Sequence, residues 1–394
     1  MQGVARGAVG LGEKVTAAII ASVAALRDQI TEAAASGTTL RISGRGTWLD
    51  AGRRVDAAET LSTRELSGIS GYVPADLTLT ALAGTTLAEI REATRVNGQW
   101  LALDPAGSDD GTIGATVATA SAGPLRTMFG SPRDLTLGLE FITGEGTVAR
   151  GGGRVVKNVA GFDITRLLTG SWGTLGVITE VTLRLHARPE ADETVAIALA
   201  DTAHVGRVRQ VLRNAPFTPY ACEILNASLA KIVTGASGAT ALFRLGGNVE
   251  AVAAQRSALA ELGELVDVEV AAWNRFRVAE PPGAIVFRLS DLPAELEGTW
   301  NEAGSIARAC PGTLIHASPS RGVVRVIVPV TGDAIAFLRM SFPRNAPVKR
   351  IGERLPGQLW PVIAPAPTAD RISKGIKSAF DVHNILNPGI LGEA

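Results

Sequence analysis

The sequence predicts an α+β fold with two domains, and three observations support this prediction. The chain has 394 residues, more than a single hydrophobic core usually serves. Apolar residues at helical spacing alternate with short strand-like runs along the whole chain. Glycine is abundant, with 44 residues that cluster without a fixed period. Such clusters favour tight turns and close backbone contacts over collagen or low-complexity disorder.

The first part of the chain mixes both element types. Apolar residues from Ile19 to Ile30 recur at helical spacing and predict an amphipathic helix that ends before Gly37. Residues 1–14, which precede it, are expected to be flexible. Strands are predicted at 39–43, 77–81, 135–143, 147–150 and 177–185, and a helix at 87–97. These elements form a first domain that is expected to span residues 15–189.

A second unit, expected to span residues 190–360, alternates strands with helices. Strands are predicted at 195–200, 220–225, 239–244, 266–270, 285–289, 313–317 and 323–329, and helices at 204–214, 249–262 and 293–303. This alternation favours a sheet with helices on one face. Residues 361–394 begin with a proline-rich linker and continue with a helix at 370–380 and an Asn-Pro-Gly turn, which we expect to return to the first domain. No internal repeat is evident.

Composition excludes several classes of protein. Basic and acidic residues balance at 38 each, and no long run of like charge predicts nucleic-acid or membrane-surface binding. The two cysteines, Cys222 and Cys310, form no CxxC motif, and the four histidines form no metal-binding pair, so no metal site is expected. Near-neutral charge favours life within a complex. No segment is apolar enough to span a membrane, so we expect a cytoplasmic protein.

Three glycine-rich motifs suggest a nucleotide-type cofactor, and each has a simpler alternative. Residues 43–47, Ser-Gly-Arg-Gly-Thr, follow a strand and could aim backbone N–H groups at a pyrophosphate; the alternative is an ordinary turn. Small residues at 105–123 could let backbone pack on a flat ring, or could simply pack in the core. Glycines at 170–176 lead into a strand and could approach a cofactor, or form a tight turn.

Two further motifs need separate interpretation. Residues 144–149 fit GxGxxA, but three glycines follow at 151–153, so a hairpin turn is favoured over a dinucleotide-binding loop. Residues 154–163 place Lys157, Asn158 and Asp163 close together. They predict a structured loop near a charged ring or substrate; the alternative is a helix start in which Asp163 pairs with Arg166.

Residues 152–163, GGRVVKNVAGFD, and the glycines that follow in block 157–188 resemble the family of FAD-binding subunits of glycolate oxidases. This family lies within the vanillyl-alcohol-oxidase-type flavoproteins. The likeness extends to 122–138 and 380–389, whereas residues 192–348 match in pattern only. It implies a two-part PCMH-type FAD-binding domain, an α/β ferredoxin-like cap domain and a C-terminal segment that returns to the FAD domain.

The resemblance also implies which residues bind FAD. The pyrophosphate loop would be Ser43, Gly44, Arg45, Gly46 and Thr47; the flavin and ribityl chain would be lined by Gly107, Ser108, Ile113, Gly114, Thr119, Ala122 and Gly123; the adenosine side would be held by Gly173, Gly176, Val177 and Ile178, with Asn387 near the ring. Ala115 and Phe162 depart from the family, which often has glycine and tyrosine there. No histidine or cysteine stands at a covalent attachment position, so FAD is expected to bind non-covalently.

The implied function is an FAD-binding subunit that supports oxidation of glycolate or a similar small 2-hydroxy acid and electron transfer toward a quinone. Its partners would be a catalytic flavin subunit and an iron–sulfur subunit, which could hold it at the inner face of the membrane. In catalytic relatives a histidine-rich metal site helps with the substrate hydroxyl, and this chain has no paired histidines. The resemblance therefore favours an accessory role and leaves the catalytic residues unknown. Two alternatives stay open, a self-sufficient 2-hydroxy-acid dehydrogenase and a non-catalytic assembly subunit. Arg275, Arg277, Lys349 and Arg350 could bind the carboxylate, or could form ordinary ion pairs.

Overall fold

Two antiparallel sheets organise the chain, one of five strands and one of eight. The computed structural model describes residues 3–153, 163–342, 348–367 and 370–392, with side chains from residue 19 onward. Most of the motif at residues 154–163, which contains Lys157, Asn158 and Asp163, lies outside the described residues, because these exclude residues 154–162. The glycine motifs at 43–47, 105–123 and 170–176 all lie within them.

The first domain is built around the five-stranded sheet. Its helices are α1 (Gly3–Ser36), α2 (Leu87–Arg95), α3 (Ile113–Thr119), α4 (Arg126–Phe129), α5 (Pro132–Leu135) and α6 (Ile164–Leu168), and its strands are β1 (Leu40–Ser43), β2 (Glu59–Ser62), β3 (Ile69–Val73), β4 (Thr78–Leu82), β5 (Gln99–Trp100), β6 (Thr136–Ile142), β7 (Val148–Gly152), β8 (Val177–Arg184) and β9 (His186–Ala187). The sheet order is β3-β4-β8-β6-β7, while β1 pairs with β2 in parallel and β5 pairs with β9.

Helix α1 confirms the amphipathic helix that apolar spacing predicts. Leu26 and Ile30 are buried in one cluster with Leu40 and Ile385, so the helix packs on β1 and on the C-terminal segment. The helix begins at Gly3, earlier than expected. The flexibility expected of residues 1–14 stays a prediction.

The glycine pair of the GxGxxA sequence forms a hairpin turn, as predicted. Strands β6 and β7 pair in antiparallel register on either side of it. The Thr143 N–H donates to the Thr147 carbonyl at 2.9 Å, and Gly146 adopts a φ of +81°, a conformation that glycine reaches without strain.

The cap domain is the eight-stranded antiparallel sheet with its helices. Its strands are β10 (Ala191–Ala198), β11 (Ala221–Leu225), β12 (Thr240–Gly247), β13 (Val266–Val268), β14 (Ile285–Ser290), β15 (Leu314–Ser318), β16 (Val323–Val328) and β17 (Lys349–Arg354), and its helices are α7 (Ala203–Asn214), α8 (Ala227–Val233), α9 (Val249–Leu259), α10 (Ala272–Val278), α11 (Leu296–Ala309), α12 (Gly332–Ser341) and α13 (Trp360–Ile363). The order is β13-β10-β12-β11-β15-β16-β14-β17.

This sheet consists of two βαββαβ units, each a ferredoxin-like arrangement, joined where β11 pairs with β15. The first unit has the order β13-β10-β12-β11, and the second has the equivalent order β17-β14-β16-β15. The ferredoxin-like cap is therefore confirmed, and the structure holds a repeat that the sequence does not reveal.

The two faces of the cap sheet differ. One face packs α7, α9, α11 and α12 through an apolar cluster that includes Phe243 and Phe287. The other face looks toward the first domain and also carries α8 and α10, through Leu229 and Trp273. The prediction of helices on one face only was therefore wrong, because it missed these two short helices.

The C-terminal segment returns to the first domain after helix α14 (Arg371–Phe380). The Leu40 N–H donates to the Ile385 carbonyl at 2.7 Å, and the Asn387 N–H donates to the Leu40 carbonyl at 2.9 Å. Buried Asp381 accepts from the backbone N–H groups of Ile385 and Leu386. Among the described helices, none has the length and apolar character needed to cross a membrane.

Candidate functional site

A long cleft opens in the first domain between the loop after β1, helix α3 and the segment that leads into β8. It encloses about 1160 Å³ with its open mouth, and it adjoins a second cavity of about 1860 Å³ beneath the cap sheet. The two cavities share Trp48, Thr119 and Trp172 in their walls, so together they suit an elongated ligand.

Most of the predicted cofactor residues line the first cavity: Ser43, Gly44, Arg45, Gly46, Thr47, Gly107, Ser108, Gly114, Thr119, Gly173, Gly176, Ile178 and Asn387. Ala122 and Gly123 line the second cavity instead. Ile113 and Val177 line neither one. Both are fully buried in the core, so only their backbone could meet a ligand.

The loop after β1 presents unpaired backbone donors. The Ser43 carbonyl accepts from the Thr63 N–H at 2.9 Å, which ends the β1–β2 pairing. Over the described ranges, the N–H groups of residues 44–47 donate to no protein acceptor. Arg41 braces the loop by donating to the Leu49 carbonyl at 3.0 Å. Successive free N–H groups beside an exposed Arg45 form a setting that favours an anion such as a phosphate.

The opposite wall is made of backbone that only small residues allow. A Cβ on Gly114 would lie 2.6 Å from the Ala83 Cβ, and a Cβ on Gly176 would lie 2.7 Å from a Phe141 ring carbon. These glycines let α3 and the start of β8 pack tightly on the strands behind them. The backbone of this wall therefore lies close against the strands behind it.

Asn387 connects three parts of this cleft. Its Oδ1 accepts from the Ile42 N–H at 2.8 Å, and its Nδ2 donates to the Trp172 carbonyl at 2.7 Å. Trp172 has a φ of +55°, which is rare for a residue with a side chain, and its ring stacks on Trp48 with centroids 6.2 Å apart. The Asn387 side chain thus holds a strained residue at the junction of the two cavities.

The second cavity is roofed by a polar face of the cap sheet. Glu223 on β11, His316 on β15, Arg325 on β16, Arg288 on β14 and Glu353 on β17 all line it. The first four of these residues are each flanked along the strand by two apolar residues, and side chains alternate between the faces of a strand. Their apolar neighbours therefore pack toward the helices while the polar residues face the cavity.

Several of these charges are paired. Arg325 binds Glu353 at 2.7 Å and Glu280 at 2.6 Å, and Arg288 approaches Glu353 at 2.7 Å. Burial opposes ionisation of Glu353, but Arg325 and Arg288 together hold its pKa below the ordinary value. Burial would lower the pKa of Arg325, yet Glu353 and Glu280 raise it above its ordinary value. Both carboxylates of this network, Glu353 and Glu280, therefore have arginine partners.

Two other arginines in this cavity are not paired. Within the described residues, neither Arg126 nor Arg321 forms a side-chain hydrogen bond or an ion pair. Burial, reinforced by Arg126, lowers the pKa of Arg321 to about 10. Burial and nearby Arg288 also lower the pKa of Arg126. A cavity that holds two such cations favours an anionic ligand.

The cations predicted from sequence have separate positions. Lys349 and Arg350 line the second cavity. Arg277 also lines it, but its guanidinium donates to the Pro105 carbonyl and pairs with Asp109. Arg275 lies outside both cavities and pairs with Glu269, which is the structural role left open for it.

Sequence reasoning missed His316, Glu223, Arg126 and Arg321. A signal existed for the first two, because a charged or imidazole side chain inside an otherwise apolar strand is expensive to bury without a purpose. Nothing in the sequence marks Arg126, the first residue of α4, or Arg321, in the turn between β15 and β16, since they meet only when the cap faces the first domain. Within the described ranges, no group of three or more His, Cys, Asp and Glu could hold a metal ion.

Comparison with known proteins identifies the first domain. Residues 16–152 match the family of the FAD binding domain. The chain contains an FAD-binding domain. Its cleft fits FAD, because residues 44–47, whose N–H groups have no acceptor within the described residues, line it as a pyrophosphate site would require, and the second cavity leaves room for a ring system. Residues 43–47 would hold the pyrophosphate, and the wall at 107–123 would meet the flavin.

The chain is also similar to named proteins. The chain is 42% identical over 168 residues to glycolate oxidase subunit GlcE of Escherichia coli K12. This alignment covers 42% of this chain and 48% of that protein. It is 34% identical over 158 residues to a D-2-hydroxyglutarate dehydrogenase of Xanthomonas citri pv. viticola, over 40% of this chain and 34% of that protein. The chain therefore aligns with about half or less of the length of these curated relatives.

The FAD-binding domain and cap together share their fold with solved flavoproteins. A p-cresol methylhydroxylase with bound substrate superposes with a TM-score of 0.73 at 14% identity, over 94% of this chain and 87% of that chain. An alkyldihydroxyacetonephosphate synthase superposes with a TM-score of 0.67 at 15% identity, over 92% and 74%. At such low identity the likeness concerns the fold, and it confirms the PCMH-type architecture.

Proposed function

We propose that this chain is the FAD-binding subunit of an oxidoreductase that acts on a small 2-hydroxy acid, glycolate or a close relative. The observation that carries the proposal is a pair of arginines, Arg126 and Arg321, that have no partner within the described residues and line the cavity that adjoins the FAD cleft. The names of the relatives, a glycolate oxidase subunit and a 2-hydroxy-acid dehydrogenase, support the same substrate class.

The charge balance of the cavity favours a carboxylate. Removing a guanidinium from water costs several kcal/mol unless an anion or a set of acceptors replaces the water. The neighbouring acids Glu353 and Glu280 are already engaged by Arg325, Arg288 and Arg354. A small carboxylate would complete the charge of Arg126 and Arg321, and a guanidinium can hold its two oxygens in a fixed geometry.

The protein residues would bind and orient the substrate, while bound FAD would supply the two-electron chemistry. Arg126 approaches the cavity from the first domain and Arg321 from the cap. A substrate carboxylate between them would therefore be held across the domain interface. This arrangement would also exclude water from the reacting carbon.

The partners belong to the same proposal. On the likeness to a glycolate oxidase subunit, the partners would be a catalytic flavin subunit and an iron–sulfur subunit. Electrons would pass toward a quinone, and the complex would lie at the inner face of the membrane. A second candidate is a self-sufficient 2-hydroxy-acid dehydrogenase. The presence of Arg126 and Arg321 in the second cavity favours it, because an accessory subunit does not need such arginines beside its FAD.

The test is an absorbance spectrum of the purified chain, recorded anaerobically before and after addition of glycolate, D-lactate or D-2-hydroxyglutarate. A flavin spectrum that these acids bleach would support the proposal, and a colourless protein would contradict it. Arg321→Gln should raise the substrate concentration needed for bleaching at least tenfold, since a hydrogen bond to a charged group contributes about 1.5–3 kcal/mol. The exposed Arg339→Gln is the matched control.

The same experiment separates the two candidates. Bleaching of the chain alone would favour a self-sufficient dehydrogenase. Bleaching only after co-expression with a catalytic flavin subunit would favour the complex.

A further inference from the structure

We propose that His316 is the catalytic base of this chain, held by Glu223 and Ser318, and that it takes the hydroxyl proton of the 2-hydroxy acid at its Nε2. This inference rests on the proposed function and gives that site a residue for proton transfer. It also revises the accessory role that the missing histidine pair suggested.

His316 is held in place by hydrogen bonds that start at Glu223. His316 Nδ1 lies 2.7 Å from Glu223 Oε2, and Ser318 Oγ donates to Glu223 Oε1 at 2.6 Å. Glu223 is 1% exposed, so both of its oxygens are fixed by protein. A carboxylate in this position accepts the proton of Nδ1, which leaves the lone pair of the imidazole on Nε2.

The position of His316 leaves its Nε2 available to a ligand in the second cavity. Within the described residues, His316 Nε2 has no protein partner, and His316 lines the cavity that also holds Arg126 and Arg321. The edge of the Phe276 ring packs against the imidazole with centroids 4.7 Å apart. The ring is therefore fixed on one side by Glu223 and on another by Phe276, and its free nitrogen remains for a ligand.

The alternative role of His316 is a purely structural pair with Glu223. Arg325 lies directly opposite His316 on β16, and Glu353 beyond it is neutralised by Arg325 and Arg288. For a structural role, Glu223 needs only a hydrogen-bond donor at this position, and an asparagine or a serine could provide it. A histidine, unlike these, supplies a basic nitrogen at the opposite end of its ring.

The chemistry balances with groups already named. The O–H bond of the substrate would break and its proton would go to His316 Nε2, the Cα hydrogen would leave with the electron pair of its bond as a hydride to oxidised FAD, and the C=O bond of a 2-oxo acid would form. Two electrons and two hydrogens leave the substrate. Arg126 and Arg321 would hold the carboxylate throughout.

The first experiment is histidine-ring ¹⁵N NMR of the FAD-loaded protein with oxalate, an unreactive dicarboxylate, as the probe. The chain has only four histidines, so His316→Asn assigns the signals by difference. We expect the Nδ1–H tautomer at His316, and a shift of its Nε2 signal when oxalate binds. The exposed His383→Asn is the control. Oxalate that binds without moving this signal would overturn the inference alone; no oxalate binding would overturn the proposed function with it.

The second experiment uses the same variants in anaerobic stopped flow with glycolate. Asparagine can still donate to Glu223 but has no basic nitrogen, so His316→Asn should slow bleaching at least about 100-fold and leave oxalate affinity within about threefold of the wild type. Arg321→Gln should instead weaken oxalate binding and leave the bleaching rate at saturating glycolate close to that of the wild type. A bleaching rate of His316→Asn equal to that of the wild type would refute the assignment of His316 as the base.

Glu223→Gln tests the positioning residue. The glutamine amide would donate to Nδ1 and force the proton to Nε2, so the ¹⁵N tautomer signature should invert while FAD content is unchanged. Bleaching should slow as in His316→Asn. An unchanged tautomer with slow bleaching would contradict this role of Glu223.

Discussion

At the scale of single residues, buried polar side chains decide how the two cavities are built. Asn387 spans from the C-terminal segment to β1 and to Trp172, and it does so from a left-handed backbone with a φ of +43°. Asparagine tolerates this conformation better than most residues. The sequence indicated that this turn lies near the cofactor, but only the structure shows which backbone groups it joins.

Asn387→Ala should therefore destabilise the protein and weaken FAD binding. It leaves the Ile42 N–H and the Trp172 carbonyl without their partner, at a cost of about 1–3 kcal/mol for each buried group. We expect a loss of about 2–4 kcal/mol in the free energy of unfolding, measured by denaturant titration with saturating FAD. Asn384→Ala, at an exposed position that also has a positive φ, controls for backbone strain and should cost less.

Asp104 should make stability depend on pH. Burial raises its pKa to about 7, against the hydrogen bond from the Leu125 N–H and the charge of Arg277. The folded protein thus keeps a proton that the unfolded chain loses near pH 4. The stabilisation is complete below that pH and disappears as the pH rises through about 7.

Asp104→Asn keeps an acceptor for the Leu125 N–H and removes the titration. The stability of the wild type relative to this variant should fall between pH 4 and 8, by at most about 4 kcal/mol. Thermal unfolding at matched FAD saturation measures the difference. A difference that stays constant across this range would contradict the raised pKa.

At the scale of elements, periodicity predicted the long strands and helices well. Strands β6, β8 and β14 and helices α2 and α7 lie within a few residues of their predicted positions, because one face of each is apolar. The sequence did not indicate β2, α8 or α10. These elements are short, and their apolar residues meet partners far along the chain, so local spacing carries little information about them.

The loop after β1 is the element that should govern FAD affinity. The N–H groups of residues 44–47 have no acceptor in the part of the chain that the structure describes, and Arg45 is exposed beside them. Arg45→Glu places a negative charge near the pyrophosphate, and we expect FAD affinity to fall about tenfold, with stability almost unchanged. Fluorescence titration of the apoprotein with FAD measures this. Arg64→Glu, an exposed change outside both cavities, should bind FAD normally.

At the scale of the whole molecule, the cap is tied to the cofactor loop as well as to the substrate cavity. Arg354 on β17 pairs with Asp50 at 2.6 Å, and the Gly52 N–H donates to the Glu353 carbonyl at 2.7 Å. Glu353 in turn holds Arg325 and Arg288 above the second cavity. No sequence pattern could predict this connection, because it joins residues about 300 positions apart.

FAD binding should therefore slow hydrogen exchange in the cap as well as in the first domain. We expect added protection in β17, with no change in β13 at the far edge of the sheet. Asp50→Asn should reduce this protection in β17, although a half-exposed ion pair contributes only about 0–1 kcal/mol to stability. Equal protection of β13 and β17 would indicate general stabilisation by ligand binding instead.

The position of Asn387 in the chain has a consequence for biosynthesis. The FAD cleft needs β1, the wall that leads into β8 and a side chain that is translated only after the entire cap. Domains usually fold in order as the ribosome extends the chain, but this cleft cannot close until its last contributor has left the exit tunnel. Cofactor capture would then be a late event in maturation, and a nascent chain stalled before residue 387 would carry an open site.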